Sequence, residues 1–129
     1  MALRIAIDVN RYVDFVRGVD EAVACFRRAR EIFVPFIVLA ELRAGFRGGR
    51  RTTANEAVLS RFLQSDRVTV LLPDEQTTHV YADVYTQLRR AGTPIPTNDL
   101  WIAALVIQHG LALFTRDLHF DHLPQIPRA

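Results

Sequence analysis

Leu3-Arg4-Ile5-Ala6-Ile7-Asp8-Val9-Asn10 is the stretch that decides the fold. Its apolar residues alternate around Ile5 and Ile7, so Leu3–Val9 reads as a strand ending near Asp8. An unpaired carboxylate among apolar residues is costly, so Asp8 calls for a cation or for hydrogen-bond donors. Three more strands follow: Ile32–Val34, stopped at Pro35; Val68–Leu72, stopped at Pro73; and Leu111–Phe114. Helical periodicity fills the intervals. A short helix over Arg11–Arg17 is closed by Gly18, and Asp20–Arg30 is amphipathic, with Cys25 and Phe26 inward. Phe36–Phe46 is closed by Gly48 and Gly49, and Thr53–Gln64 follows. Asp74 caps a helix running to Ala91, and Thr97 caps a helix over residues 98–109 with Gly110 past its end. Strands alternating with helices argue for an α/β domain with a mainly parallel, helix-covered sheet. After Phe114 the chain reads as an irregular tail.

The 129 residues fit one domain spanning 1–129, half of them hydrophobic and 23% charged, which supplies a core. The longest apolar run, Leu100–Ile107, is shorter than the roughly 20 residues that span a bilayer. No secretory leader is recognisable, because Arg4 and Asp8 interrupt the apolar start, so the expected location is cytoplasmic with no membrane partner. The one cysteine, Cys25, has no internal disulfide partner and reads as a small core residue. All 16 basic residues are arginine. Without lysine, neither a phosphate-binding loop of the Walker type nor a receiver-like phosphoryl-aspartate site can be built.

In an open parallel sheet the working crevice lies at the carboxyl ends of the strands. Asp8 ends the first strand, and Asp117 lies just past the last. Asp99 falls in the first turn of its helix, while Glu41 stands about a turn and a half into the helix after the second strand. These four acids, from distant segments, are expected on one rim as the catalytic and metal-binding set. Each alone admits a plainer reading: a cap for Asp8, a solvated or Arg-paired position for Glu41, a helix-dipole contact for Asp99, a turn residue for Asp117. Crowded carboxylates repel one another, and a hard divalent ion, Mg²⁺ or Mn²⁺, relieves that repulsion through oxygen ligands. No Cys/His set has zinc spacing. Carboxylate-held metals activate water and stabilise the leaving oxygen of a phosphodiester. Asn10 and Thr115 stand beside Asp8 and Asp117 as supporting hydrogen-bonding residues.

These segments carry a resemblance. Ile7-Asp8-Val9-Asn10, Val38-Leu39-Ala40-Glu41-Leu42 with Gly45, Thr97-Asn98-Asp99-Leu100-Trp101-Ile102-Ala103-Ala104, and Phe114-Thr115-Arg116-Asp117-Leu118-His119-Phe120 with Leu123-Pro124 resemble, in order, the PIN-domain ribonucleases of the VapC toxin type. The resemblance covers nearly the whole chain. It implies a three-layer α/β/α fold and a metal-dependent endoribonuclease acting on tRNA, rRNA or mRNA. It further implies a homodimer, and a VapB-type antitoxin that neutralises it in a larger hetero-oligomer. Val9 departs from the small hydroxyl residue frequent at that position. Asp117 matches the fourth acidic position, with the question left open whether Asp121 shares that role.

If the four acids hold cations, 16 positive charges face 10 negative ones, a balance that suits a polyanion. Arg11, Arg43, Arg47, Arg50, Arg51 and Arg116 are the candidate RNA-contacting residues, each equally readable as a solvated helix position. His119 and His79 are candidate catalytic groups that a metal–carboxylate mechanism does not need. Trp101, in a helix apolar on all sides, is a candidate dimer contact or plain core. The antitoxin is expected to lay an apolar helix in a groove, with residues 11–30 and 53–64 as candidate walls, and to send an arginine to the carboxylates. The rival functions are a DNA-directed, flap-type nuclease and a catalytically silent binding or regulatory module.

Overall fold

The computed structural model describes residues 3–129. Strands β1 (Leu3–Ile7), β2 (Ala29–Pro35), β3 (Val68–Leu71) and β4 (Ala112–Phe114) form one sheet in the order β3-β2-β1-β4. All three pairings are parallel, so the expected mainly parallel sheet is parallel across its four strands. Helices α1 (Val9–Val16) and α2 (Asp20–Arg28) link β1 to β2; α3 (Phe36–Arg47) and α4 (Thr52–Leu63) link β2 to β3. The return from β3 to β4 runs through α5 (Glu75–Ala91) and α6 (Thr97–His109).

The first two crossovers step the chain in one direction along the sheet, and the third brings it back past β2 and β1. Right-handed crossovers then put α1–α4 on one face and α5–α6 on the other, giving the α/β/α sandwich. Burial agrees. Ile5, Ala6 and Ile7 are consecutive and fully buried, which requires cover on both faces of β1. On the α1–α4 side, Phe15 of α1 stacks on Phe26 of α2 at 4.2 Å, and Phe62 of α4 packs edge-on against Tyr12 at 5.3 Å. On the other side α6 buries Leu100 and Ile102–Val106, and Trp101 is half-buried on Tyr81 of α5 at 4.3 Å. Cys25 lies in the core, where burial pushes its thiol pKa up. No helix among the described residues is long and apolar enough to cross a membrane.

Several local expectations need correction. β1 ends at Ile7 because Asp8 turns the chain, its carboxylate accepting from the Val9 N–H to cap α1. α2 stops at Arg28 and passes directly into a longer β2 that includes Pro35. Gly48 closes α3 in ordinary right-handed geometry (φ −77°), not with a left-handed turn. Thr97 is the first residue of α6 rather than its cap; Pro96 holds the cap position and offers no side-chain acceptor. Asp74 does cap α5, in a reciprocal box with Thr77. The irregular tail contains a 3₁₀ helix, Leu118–His122, and a bridge from Arg128 to Leu113 that extends the sheet beyond β4.

Asp14 of α1 is buried and anchors a charge network. Its carboxylate accepts from Arg116 through Nε (2.9 Å) and Nη2 (3.1 Å), and from Arg11 Nη1 at 3.3 Å. Arg11 also pairs with Glu21 and lies 4.3 Å from the Phe114 ring centroid. The hydrogen bond from Arg116 foremost, with Arg11 adding to it, holds Asp14 below its ordinary value of 3.8. A carboxylate lowered on folding stabilises the fold above its unfolded pKa, and that contribution is lost as pH falls through the lowered value. Asp14→Asn should therefore lower Tm at pH 7, with the gap from the parent closing as pH falls below 3.8; a constant gap across that range would refute the assignment. Ile102→Ala, at a fully buried position, should cost about 2–5 kcal/mol in urea unfolding, whereas Leu118→Ala, at a 74% exposed one, should stay within about 0.5 kcal/mol.

Candidate metal centre

The strand order locates the crevice. β1 has β2 on one side and β4 on the other, and the chain leaves β1 in one direction and returns to it from the other. The space past the carboxyl ends of β1 and β4 is thus the switch point of the sheet. Asp8 follows β1 directly, and Thr115-Arg116-Asp117 follows β4 directly.

A hydrogen-bonded frame joins these two strand ends. Thr115 Oγ1 donates to Asp8 Oδ2 at 2.8 Å, and the Val9 N–H donates to Asp8 Oδ1 at 2.8 Å. Asn10 Nδ2 donates to Thr115 Oγ1 at 3.3 Å, while Asn10 Oδ1 accepts from the Arg116 N–H at 3.1 Å. The Asp117 N–H also donates to Thr115 Oγ1, at 3.0 Å. Asp8, though buried, therefore has a partner for each oxygen, and Asn10 and Thr115 stand where the sequence placed them, beside Asp8 and Asp117.

Glu41 and Asp99 reach the same region from α3 and α6. Asn98 Nδ2 donates to Glu41 Oε1 at 3.3 Å, linking the two helices across the site. Burial foremost, then the charges of Asp8 and Asp99, raises the Glu41 pKa above 4.5. Burial also raises Asp99 above 3.8, with the charges of Asp117 and Asp8 adding to it against the opposing contact from His119. Glu41 thus lies in the field of Asp8 and Asp99, and Asp99 in that of Asp8 and Asp117, so the four acids form one connected cluster.

The tightest group includes His119, which the sequence reading held only as a catalytic candidate and not as a metal ligand. Asp99, Asp117 and His119 place one ligand atom each within 4.8 Å of one another. His119 Nδ1 lies 2.8 Å from Asp99 Oδ2 and 3.0 Å from Asp117 Oδ1. These contacts, the Asp99 hydrogen bond first, raise the imidazole pKa above 6.5. Its position two residues after Asp117, on a turn leaving a strand end, was the available signal. Asn98 and Asp14 were missed as well. Nothing in their local pattern announces contacts to residues as distant as Glu41 and Arg116.

Other expectations resolve differently. Asp121 forms a 2.6 Å ion pair with Arg128, away from the tight group. Arg11 is buried and paired, so it does not belong to an outer basic rim. Arg116 is tied to Asp14 with half of its side chain exposed, and Arg43 is tied to Glu56. Arg47, Arg50 and Arg51 are exposed where α3 gives way to α4. His79 lies on α5, outside the tight group.

The oxygen-rich donor set, with two carboxylates raised by burial and mutual repulsion, fits a hard divalent cation. Comparisons with known proteins agree with this architecture. The PIN domain family model matches residues 5–126. Ribonuclease VapC4 of Mycobacterium tuberculosis is 32% identical over 93 residues, 72% of each chain. Ribonuclease VapC2 of Rickettsia felis is 30% identical over 119 residues, 92% of this chain and 85% of the relative. The DNA-bound VapBC structure from Salmonella typhimurium superposes with a TM-score of 0.86 at 25% identity, covering 98% of this chain and 97% of that one. With a family model over nearly its whole length and relatives of this identity, the chain belongs to the PIN domain family, in its VapC ribonuclease branch.

Proposed function

We propose that this protein is a divalent-metal-dependent endoribonuclease toxin that hydrolyses RNA phosphodiesters and is neutralised by a VapB-type antitoxin. The observation that supports the reading is the chain of charge interactions linking Asp8, Glu41, Asp99 and Asp117 beside the switch point of the sheet. Asp8, Glu41, Asp99 and Asp117 would hold Mg²⁺ or Mn²⁺. Such an ion supplies a polarised water and neutralises charge on the phosphate and leaving oxygen.

The chain's own residues supply position and proton handling. Thr115 fixes Asp8 Oδ2, and Asn10 fixes Thr115 and the Arg116 backbone, so the β1 and β4 ends keep their spacing. Asn98 holds Glu41 Oε1 and leaves Oε2 to take up a proton from the attacking water. Exposed Arg47, Arg50 and Arg51 supply phosphate contacts, with Arg116 and Arg43 adding their free guanidinium edges. Single-stranded loops of tRNA, rRNA or mRNA suit the site, because their bases splay out.

The antitoxin reading also gains a surface. An apolar groove of about 350 Å³ lies between α1, α2 and α4, lined by Phe15, Val23, Phe26 and Phe62 and bordered by Arg27 and Arg67. Residues 11–30 and 53–64 supply one part of its wall, and Ile32, Ser65, Arg67 and Val68 supply the rest. An amphipathic helix seated there can send an arginine to the carboxylates, which both fills the site and offsets its charge. Trp101, half-buried on Tyr81, stays the candidate for the homodimer contact.

Three outcomes are expected. Asp8→Ala should abolish Mn²⁺-dependent cleavage of single-stranded RNA, by about 100-fold or more, together with growth arrest in cells. Equal cleavage of single-stranded DNA would favour the DNA-directed alternative, and unchanged cleavage and growth arrest by Asp8→Ala would remove the enzyme reading. Thr115→Val, which leaves the acids in place, should weaken Mn²⁺ affinity about tenfold in calorimetry. Glu41 is raised on folding, so its charged form costs stability once pH exceeds 4.5. Glu41→Gln should then raise the metal-free Tm at pH 7 by about 1–3 °C, with no gain below pH 4.5. A fall in Tm at pH 7 would show that Glu41 is not under electrostatic strain.

A further inference from the structure

The four carboxylates leave one donor of the tight group without a role. We propose that His119 Nδ1 is a nitrogen ligand of the metal centre and biases it toward Mn²⁺-type transition ions over Mg²⁺. The proposal rests on the metal-centre reading above and adds to its donor set.

Three observations support it. First, one nitrogen faces two carboxylates at once: Nδ1 is 2.8 Å from Asp99 Oδ2 and 3.0 Å from Asp117 Oδ1. The ring therefore points into the space where the acids converge and does not flank a single partner. Second, the backbone aims it there. The His119 N–H donates to Asp117 Oδ1 at 2.9 Å, which opens the 3₁₀ turn and sets the carboxylate and the imidazole on the same side. Third, packing does not account for its placement. The His119 side chain is 48% exposed, whereas Phe120 beside it is buried. The three ligand atoms, all within 4.8 Å of one another, are close enough to meet on one divalent ion.

The donor chemistry sets the preference. Mg²⁺ takes oxygen ligands in a strict octahedron and yields its waters reluctantly. Imidazole suits later divalent ions, and affinity for nitrogen donors rises from Mn²⁺ onward along the first transition row. Two carboxylates with one imidazole therefore discriminate against Mg²⁺ in a way that an all-oxygen set does not.

The test is pulsed electron paramagnetic resonance of Mn²⁺ bound to the full chain, with Mn²⁺ and Mg²⁺ dissociation constants from calorimetry. The parent should show ¹⁴N coupling typical of a coordinated imidazole, and His119→Gln should lose it. The ratio of Mg²⁺ to Mn²⁺ dissociation constants should fall about tenfold in His119→Gln. His119→Asp, which makes the set all oxygen, should bind Mg²⁺ at least as tightly as the parent. Circular dichroism controls for folding, which this exposed position is expected to leave intact. Mn²⁺ binding without imidazole coupling, coupling that persists in His119→Gln, or an unchanged ratio would overturn the proposal and leave the carboxylate reading standing. Failure of the parent to bind either ion would remove the metal-centre reading and this proposal with it.

Discussion

The hydrogen bond from Thr115 Oγ1 to Asp8 Oδ2 ties together the two strands between which the sheet changes direction. Much of the site depends on that tie. Thr115 receives Asn10 and the Asp117 N–H on the same oxygen, so a single hydroxyl sets the relation of the first acid to the last. It can do so because β1 and β4 are adjacent and parallel, with Ile7 registered against Phe114. The register brings residues more than a hundred positions apart into contact, and the Asp8 N–H continues the pairing to the Phe114 carbonyl at 3.1 Å. A shift of one residue would turn Thr115 to the opposite face and leave Asp8 Oδ2 buried without its partner.

Acids at this end of the molecule are treated in two ways. Asp14 is buried with two guanidiniums against it, and its charge is balanced within the chain. Among the described residues no arginine pairs with Glu41 or Asp99, and burial with neighbouring carboxylates pushes both upward. Among the described residues, the cationic partner beside Asp99 is an exposed imidazole. The first arrangement holds helix α1 to the segment after β4. The second leaves unfavourable charge that the proposed cation would relieve, which is how a binding site differs from a structural ion pair.

Much of this was legible from local pattern. Apolar alternation around Ile5 and Ile7 and the placement of Asp8, Asp99 and Asp117 at element ends gave the α/β order and the rim. These signals are short-range, being periodicity, breakers and caps. What escaped was long-range or depended on rotamer. Arg11 looked like a free base beside Asp8, yet its position in the first turns of α1 puts it over Phe114, where burial demanded Asp14 and Glu21 as partners. Thr97 had the chemistry of a cap, but Pro96 already occupied the extended position before the helix, leaving Thr97 inside it. The sequence named Asp117 as the fourth acid and left open whether Asp121 shares its role. Only the return of residues 127–129 along β4 brings Arg128 to Asp121 and separates the two acids.

That return has one more effect. The Leu113 N–H donates to the Pro127 carbonyl at 2.8 Å, and the Ala129 N–H donates to the Leu113 carbonyl at 3.1 Å. The outer side of β4 is thus already hydrogen-bonded, and that border of the sheet has little left to offer an incoming extended peptide. A protein inhibitor arriving at this end of the molecule cannot gain its hold by adding a strand there. It has to work through helix packing and inserted side chains.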